Sequence, residues 1–95
     1  MYYRMTRLHF EEDSFPALVE WAESIRGRIE AIDGLVFADL IRGGATDGMV
    51  IAAYQNEEGY QAASDLVATL LDEMTTHLTA APHGHDGTVI VSYGR

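Results

Sequence analysis

The chain has 95 residues, no cysteine and a net charge of −9, from 15 acidic against 6 basic residues. This length fits one small domain over 1–95, and the absence of thiols excludes disulfides, zinc ribbons and cysteine nucleophiles and fits a cytoplasmic protein. The negative charge argues against nucleic acid and against an anionic membrane surface as partners, because both attract basic proteins.

The first half of the chain predicts a strand followed by a helix. Residues 2–10 are rich in aromatic and β-favouring side chains, which is typical of a strand. Ser14 as a capping residue and Pro16 in the first turn indicate where a helix begins. Apolar residues then recur at the helical period as far as Ile32, and Gly34 suits the left-handed position that follows a helix.

The second half predicts a hairpin, a helix and a last strand. Two apolar runs, 35–41 and 49–55, flank a glycine-rich connection and indicate the hairpin. Asn56 is a suitable capping residue for the second helix, which ends before Pro82. The run TVIVSY, 88–93, predicts the fourth strand.

The order β-α-β-β-α-β predicts an α+β, ferredoxin-like fold with a four-stranded antiparallel sheet and two helices on one face. The strands are apolar on both faces apart from Asp39, so a second layer is expected on the face that the helices leave bare. We therefore expect a homodimer that pairs two sheets face to face.

Three stretches, YYRMTRLHF, IDGLVFADLI and MVIAAYQNEEGYQAAS, resemble the antibiotic-biosynthesis-monooxygenase-like group of the dimeric α+β barrel proteins. The resemblance implies a homodimer and an enzyme that oxidises a small aromatic or quinol-type compound with dioxygen and without metal or flavin. Other members of the group degrade haem. That branch has an asparagine in the first strand and a tryptophan in the second helix, and this chain has neither.

Individual site residues follow from the same resemblance. Asn56 matches an asparagine at the start of the second helix, and Tyr60 stands where the quinone-forming enzymes have a tryptophan. The resemblance implies that these two residues hold the ring oxygen of the substrate, that His77 accepts the proton and that Trp21 forms part of the pocket wall.

The residues themselves leave alternatives open at each of these positions. Tyr54, Asn56 and Tyr60 could together fix a hydroxylated ring by hydrogen bonds, but Asn56 also serves as a plain helix cap. His77 could be a base oriented by Glu73, one turn earlier, or simply a histidine at a fraying helix end.

Trp21 and the first strand carry the remaining candidates for substrate binding. Trp21 suits either a pocket wall or the core. Arg7 and His9 share a face of the first strand and form a polar island if that face meets a helix or a partner. If the strand end is solvated, they have no such role.

The segment APHGHDG, 81–87, holds two histidines one residue apart, His83 and His85, followed by Asp86. In a strand, such histidines point the same way and could chelate a metal with the aspartate as a third ligand. The proline and glycines instead predict a loop, so we expect a plain connector or a flexible lid and no metal site.

A second class of function remains open from the sequence. A dimer of this topology could be a non-catalytic small-molecule-binding or regulatory module, like the amino-acid-sensing ACT domains. Those domains usually carry a glycine between the first strand and the first helix, and the corresponding FEEDSFP has none. An accessory protein whose purpose is dimerisation is a third possibility.

Overall fold

The computed structural model describes residues 1–94 and contains one four-stranded antiparallel sheet in the order β2-β3-β1-β4. The strands are β1 (Tyr2–His9), β2 (Leu35–Arg42), β3 (Asp47–Tyr54) and β4 (His83–Thr88), and the helices are α1 (Phe15–Ser24), α2 (Arg26–Glu30) and α3 (Glu57–Met74). The predicted ferredoxin-like α+β class is confirmed. Within 1–94, no helix is long and apolar enough to span a bilayer.

The predicted first helix is two helices, since the chain breaks at Ile25 with φ −98° and ψ 5°. Just before the break, the Ser24 hydroxyl donates to the carbonyl of Trp21 at 2.6 Å and competes for the helical acceptor. Gly27, the weakest helix former in the segment, follows the break. Ser14 precedes α1 as predicted but makes no side-chain capping bond.

Gly34 turns the chain from α2 into β2 with a positive φ of 81°, as its position in the sequence predicts. Its carbonyl accepts a hydrogen bond from the N–H of Gln55 at 2.8 Å, which ties this turn to the residue between β3 and the cap of α3. A side chain at Gly34 would meet the Cα of Gly59 at 3.5 Å. The two glycines therefore hold the start of α3 against the turn before β2.

The prediction of the fourth strand is wrong in position, because β4 covers 83–88 and the loop predicted over 81–87 is largely strand. Pairing is antiparallel to β1, from Arg7 opposite His83 to Tyr2 opposite Thr88. Tyr2 is the first residue of β1, and beyond this pair one further backbone hydrogen bond joins the N–H of Val89 to the carbonyl of Met1 at 2.9 Å. Residues 89–94, which we call the C-terminal arm, extend beyond the sheet, and Ile90 in it is 89% exposed.

The helices cover one face of the sheet and build two buried groups of side chains there. One lies near the end of α3 and the other near its start, so α3 joins both. The groups are Leu8, Phe10, Leu18 and Met74, and Ala52, Tyr54, Ala63 and Val67.

The opposite face is mixed in character, contrary to the expectation of an apolar surface. Because side chains alternate along a strand, this outer face carries every second residue of β1, beginning with Tyr3. The Tyr3 ring meets the Phe37 ring edge-on, with 5.9 Å between their centres. Half-buried Met5 and Ile51 lie near its centre. Charged or titratable side chains surround them, and these are Arg7, His9, Asp39, His83 and His85.

Candidate functional site

Three tyrosine rings meet where β3 leads into α3, on the helix-covered face. The Tyr60 ring on α3 lies 4.8 Å from that of Tyr2 and 5.7 Å from that of Tyr54, centre to centre. Tyr54 is buried at the base of the group, with 1% of its surface exposed, while Tyr2 and Tyr60 are half-buried. Tyr54 and Tyr60 are only six residues apart, so the sequence alone predicts that they lie close together. Tyr2 joins them only through the pairing of β1 with β3.

Asn56 stands at the start of α3 as its cap. Its backbone is extended, with φ −159° and ψ 175°, and its side-chain oxygen accepts a hydrogen bond from the N–H of Gly59 at 2.8 Å. The predicted capping role is confirmed. The amide nitrogen of the exposed Asn56 side chain is not required for the cap and remains available as a donor.

Asp86 of β4 reaches the same group, a contact that the sequence does not predict. The Tyr2 hydroxyl donates to its carboxylate at 2.5 Å. This bond is the main reason that the pKa of Asp86 is lowered, with a smaller contribution from Tyr60. The same bond is the largest factor that raises the pKa of Tyr2 to about 12. Both groups are thus held in the states that keep the bond, the phenol protonated and the carboxylate ionised.

Arg4 lies beneath Tyr60 and was also missed from the sequence. Its guanidinium carbon is 4.3 Å from the centre of the Tyr60 ring, a cation–π arrangement. Burial raises the pKa of Tyr60 above its usual value, and the Arg4 charge works in the opposite direction. The sequence feature that could have revealed Arg4 is a charged residue at a core-facing position of β1, in alternation with buried Thr6 and Leu8.

An open depression of about 560 Å³ lies beside this cluster and is lined by Met1, Tyr2, Gln55, Asn56, Glu57 and Thr88. A small aromatic molecule is within the size that such a volume accommodates. The cluster formed by Tyr2, Arg4, Tyr54, Tyr60 and Asp86 is hereafter called the tyrosine cluster. Tyr2 is the member of the cluster that lines the depression, and the other four residues lie behind it.

His77 and Trp21 lie together at the other end of α3. Their ring centres are 6.2 Å apart, and His77 belongs to the short 3-10 turn Thr75–His77 that follows α3. The helix rise separates Tyr60 from Met74 by about 21 Å along the axis. The residues proposed as ring-binding and as proton acceptor are therefore not brought into one pocket.

Glu73 does not orient His77 as the spacing suggested. It forms an ion pair with Arg28 of α2 at 2.9 Å, with two hydrogen bonds between the groups. This pairing is the main cause of the lowered pKa of Glu73, and Trp21 lowers it a little further. The carboxylate thus ties α2 to the end of α3.

Arg7 and His9 lie on the sheet face away from the helices and are exposed. They are separated from the tyrosine cluster by the thickness of the sheet. A polar island on this face could meet only a second layer that covers the sheet, not a ligand held beneath α3.

The two histidines of the PHGHDG segment point to that same outer face, with ring centres 4.9 Å apart. Asp86 points to the helix-covered face, because neighbouring residues of a strand alternate. The trio therefore does not converge. Over residues 1–94, no group of three or more histidine or acidic side chains is placed to hold a metal ion.

The strand order and the placement of the helices on one face of the sheet define a ferredoxin-like protein, with a polar and aromatic cluster under its last helix. Comparison of the sequence with family models and with curated proteins gives no match. Comparison of the structure does, and antibiotic-biosynthesis-monooxygenase-like proteins recur among the neighbours. The resemblance seen in the sequence is confirmed at the level of the fold.

Three solved structures illustrate the likeness. A monooxygenase of Streptomyces coelicolor in complex with nanaomycin D has a TM-score of 0.81 and 17% identity, over 99% of this chain and 91% of that one. A dimeric ferredoxin-like protein from an uncultured marine organism has a TM-score of 0.77 and 16% identity, over 99% and 91%. A haem degrader of Mycobacterium tuberculosis with two haems in its active site has a TM-score of 0.76 and 13% identity, over 99% and 100%. Identities this low establish the shared fold alone.

Proposed function

We propose that this protein is a monooxygenase-like enzyme that oxidises a small aromatic or quinol-type compound with dioxygen and without metal or flavin. The observation that carries the proposal is the tyrosine cluster at the start of α3, beside a depression of suitable size. The similarity of fold to a monooxygenase crystallised with nanaomycin D supports it. A cytoplasmic location, suggested by the absence of cysteine, belongs to the same proposal.

In this proposal the tyrosine cluster and Asn56 bind the substrate ring, and the ionised substrate itself reduces dioxygen. In an anthrone-like substrate a ring methylene becomes a carbonyl, so one oxygen atom enters the product, the other leaves as water and dioxygen takes up the four electrons that the carbon loses. The chain's part is to orient the ring and to take up a proton. Trp21 and His77, at the far end of α3, would act on this substrate only if it extended along the helix.

The direct test is oxygen uptake with a panel of hydroquinones and anthrone-like compounds, on chelator-treated and on metal-replete protein in parallel. We expect uptake in both samples and a loss of at least about tenfold in kcat/KM, or 1.4 kcal/mol of transition-state stabilisation, for Tyr60→Ala. Tyr60→Phe keeps the ring and separates stacking from hydrogen bonding.

The matched comparison is His77→Ala at the other end of the helix, with turnover expected to stay near that of the unchanged protein. A loss confined to His77→Ala would move the active site to the Trp21 end. Uptake only with metal would refute the cofactor-free chemistry. If every compound fails to give uptake but binds, the non-catalytic ligand-binding module is the better description.

We further propose that the working form is a homodimer in which a second copy covers the outer face of the sheet and the C-terminal arm. A dimeric protein among the structural neighbours supports this. So does the exposure of Ile90 at 89%, Val91 at 62% and Tyr93 at 90%, since apolar side chains in a row gain free energy when a partner buries them. Arg7 and His9 would then lie in the dimer interface. A sedimentation mass of one chain at micromolar concentration would contradict the dimer.

A further inference from the structure

Arg4 is a cation in the middle of the helix-covered face with donor groups that nothing in the described chain accepts. Its Nε and Nη2 atoms are buried, and neither has a hydrogen-bond acceptor among residues 1–94. A buried charged group normally carries a partner for each such donor, because losing water without replacement is costly. The two nitrogens therefore have unused capacity for an acceptor.

The expected partner of Arg4 is close but engaged elsewhere. β1–β4 pairing sets Arg4 directly opposite Asp86, the arrangement in which a cross-strand ion pair forms. Asp86 instead accepts the Tyr2 hydroxyl at 2.5 Å, and no ion pair within 4.0 Å joins it to Arg4. After the Tyr2 hydrogen bond and the Tyr60 hydroxyl, the Arg4 charge is a further cause of the lowered pKa of Asp86.

The Tyr60 ring meets the guanidinium but does not satisfy its donors. A cation–π contact uses the face of the guanidinium, whereas its N–H groups lie in the plane of the group and point to its edge. The contact at 4.3 Å thus holds the cation in place and leaves the edge for an oxygen acceptor. Both nitrogens are buried, so a ligand reaches them only if a side chain of the cluster moves aside.

We propose that Arg4 binds an ionised oxygen of the ligand, so that the site selects aromatic compounds bound as phenolates. The half-buried rings of Tyr2 and Tyr60 account for the aromatic part, and the guanidinium edge accounts for the oxyanion. The inference rests on the proposed function, since it names the substrate class of the same site. It also gives the oxidation a physical basis, because an ionised ring gives up electrons to dioxygen more readily than a neutral phenol.

The other charges around Arg4 repel an anionic ligand and therefore reduce the preference of the site for the phenolate. Asp86 on β4 is ionised, and Glu57 at the start of α3 acts on Tyr2. A direct contact with the guanidinium has to outweigh both. Arg4 on a core-facing position and Arg26 on α2, whose side chain is 60% exposed, provide a matched pair of variants.

The test uses 4-nitrophenol, whose neutral and ionised forms absorb at different wavelengths, with 4-nitroanisole as a probe of similar shape that cannot ionise. We expect the protein to bind the phenolate at least about tenfold more tightly than the neutral phenol, seen as ionisation of the bound probe at lower pH. Arg4→Met should abolish this preference, Arg4→Lys should keep part of it, and Arg26→Met should leave it unchanged.

Thermal unfolding distinguishes ligand binding from a structural role. Arg4→Met removes two buried donors that have no acceptor, so its melting temperature should be equal to or above that of the unchanged protein. A large drop would make Arg4 structural and overturn the inference. Equal affinity for 4-nitrophenol and 4-nitroanisole across the pH range, or no binding of either at millimolar concentration, would also overturn it. Oxygen uptake is measured separately, so the proposed function can stand or fall independently of this result.

Discussion

The double assignment of Asn56, as helix cap and as ligand contact, can be separated by two substitutions at one position. Asn56→Ala removes the acceptor of the 2.8 Å hydrogen bond from the Gly59 N–H and also removes the amide donor. Asn56→Asp keeps an oxygen acceptor and places a negative charge at the positive end of the helix dipole, but it carries no N–H donor. Stability and ligand binding should therefore respond differently to the two changes.

The magnitude follows from the cap geometry. Loss of a single well-formed N-cap costs about 1 kcal/mol, within a range of about 0.5 to 2. For a domain of this size, 1 kcal/mol corresponds to a fall of about 4–8 °C in melting temperature. We expect Asn56→Ala to lose about this much and Asn56→Asp to lose less than half of it.

The measurement is urea unfolding followed by circular dichroism at one fixed protein concentration, because dimer formation makes stability depend on concentration. Gln61→Ala, an exposed change one turn further along α3, is the control and should stay within about 0.5 kcal/mol. Oxygen uptake is then compared for Asn56→Asp. If Asn56→Ala unfolds like the unchanged protein, the capping argument is refuted, and if Asn56→Asp keeps full turnover, so is the ligand-binding role.

Three further results are expected from the packing, the titration behaviour and the exposed arm. Gly48→Ala should destabilise the sheet by about 1–3 kcal/mol, since its Cβ would lie 2.5 Å from a carbonyl oxygen of β2. Gly27→Ala, which meets no atom within 4 Å, should be neutral or stabilising by up to about 1 kcal/mol in the same unfolding assay. Ultraviolet titration should show one tyrosine that ionises near pH 12, which is Tyr2, and Asp86→Asn should return it toward its ordinary value. Because the folded pKa of Tyr2 is raised, the stability that this residue contributes is present below about pH 10 and is lost between pH 10 and 12. A Tyr2→Phe variant whose unfolding free energy falls over that range as steeply as that of the unchanged protein would contradict the assignment. A chain that ends at Val89 lacks the exposed apolar side chains of the C-terminal arm, so it should sediment as a monomer or dissociate from the dimer at a higher protein concentration. An unchanged dimer would show that the arm is not part of the interface.

Some distances in the site follow directly from helix geometry. Tyr60 and His77 are 17 positions apart in the chain, and a helical segment over most of that length already places them at opposite ends. The resemblance assigns Tyr60 and His77 to one mechanism, although this separation keeps them apart. Helix rise, applied to the sequence alone, predicts that one small ring cannot touch both.

The sequence by itself determined what depends on neighbours along the chain. The element order, the cap at Asn56, the left-handed Gly34 and the apolar side of α3 all follow from local hydrogen bonds and from the helical and strand periods.

Tertiary structure alone decided which strand edge the last segment meets. Tyr2 and Asp86 are 84 positions apart, and their contact depends on the register of β4 on β1. The run 88–93 has the higher strand propensity, yet 83–88 forms β4 because this is the segment that lies opposite residues 2–7 of β1. Pairing across a sheet is set by the partners that packing makes available, and no local pattern contains that information.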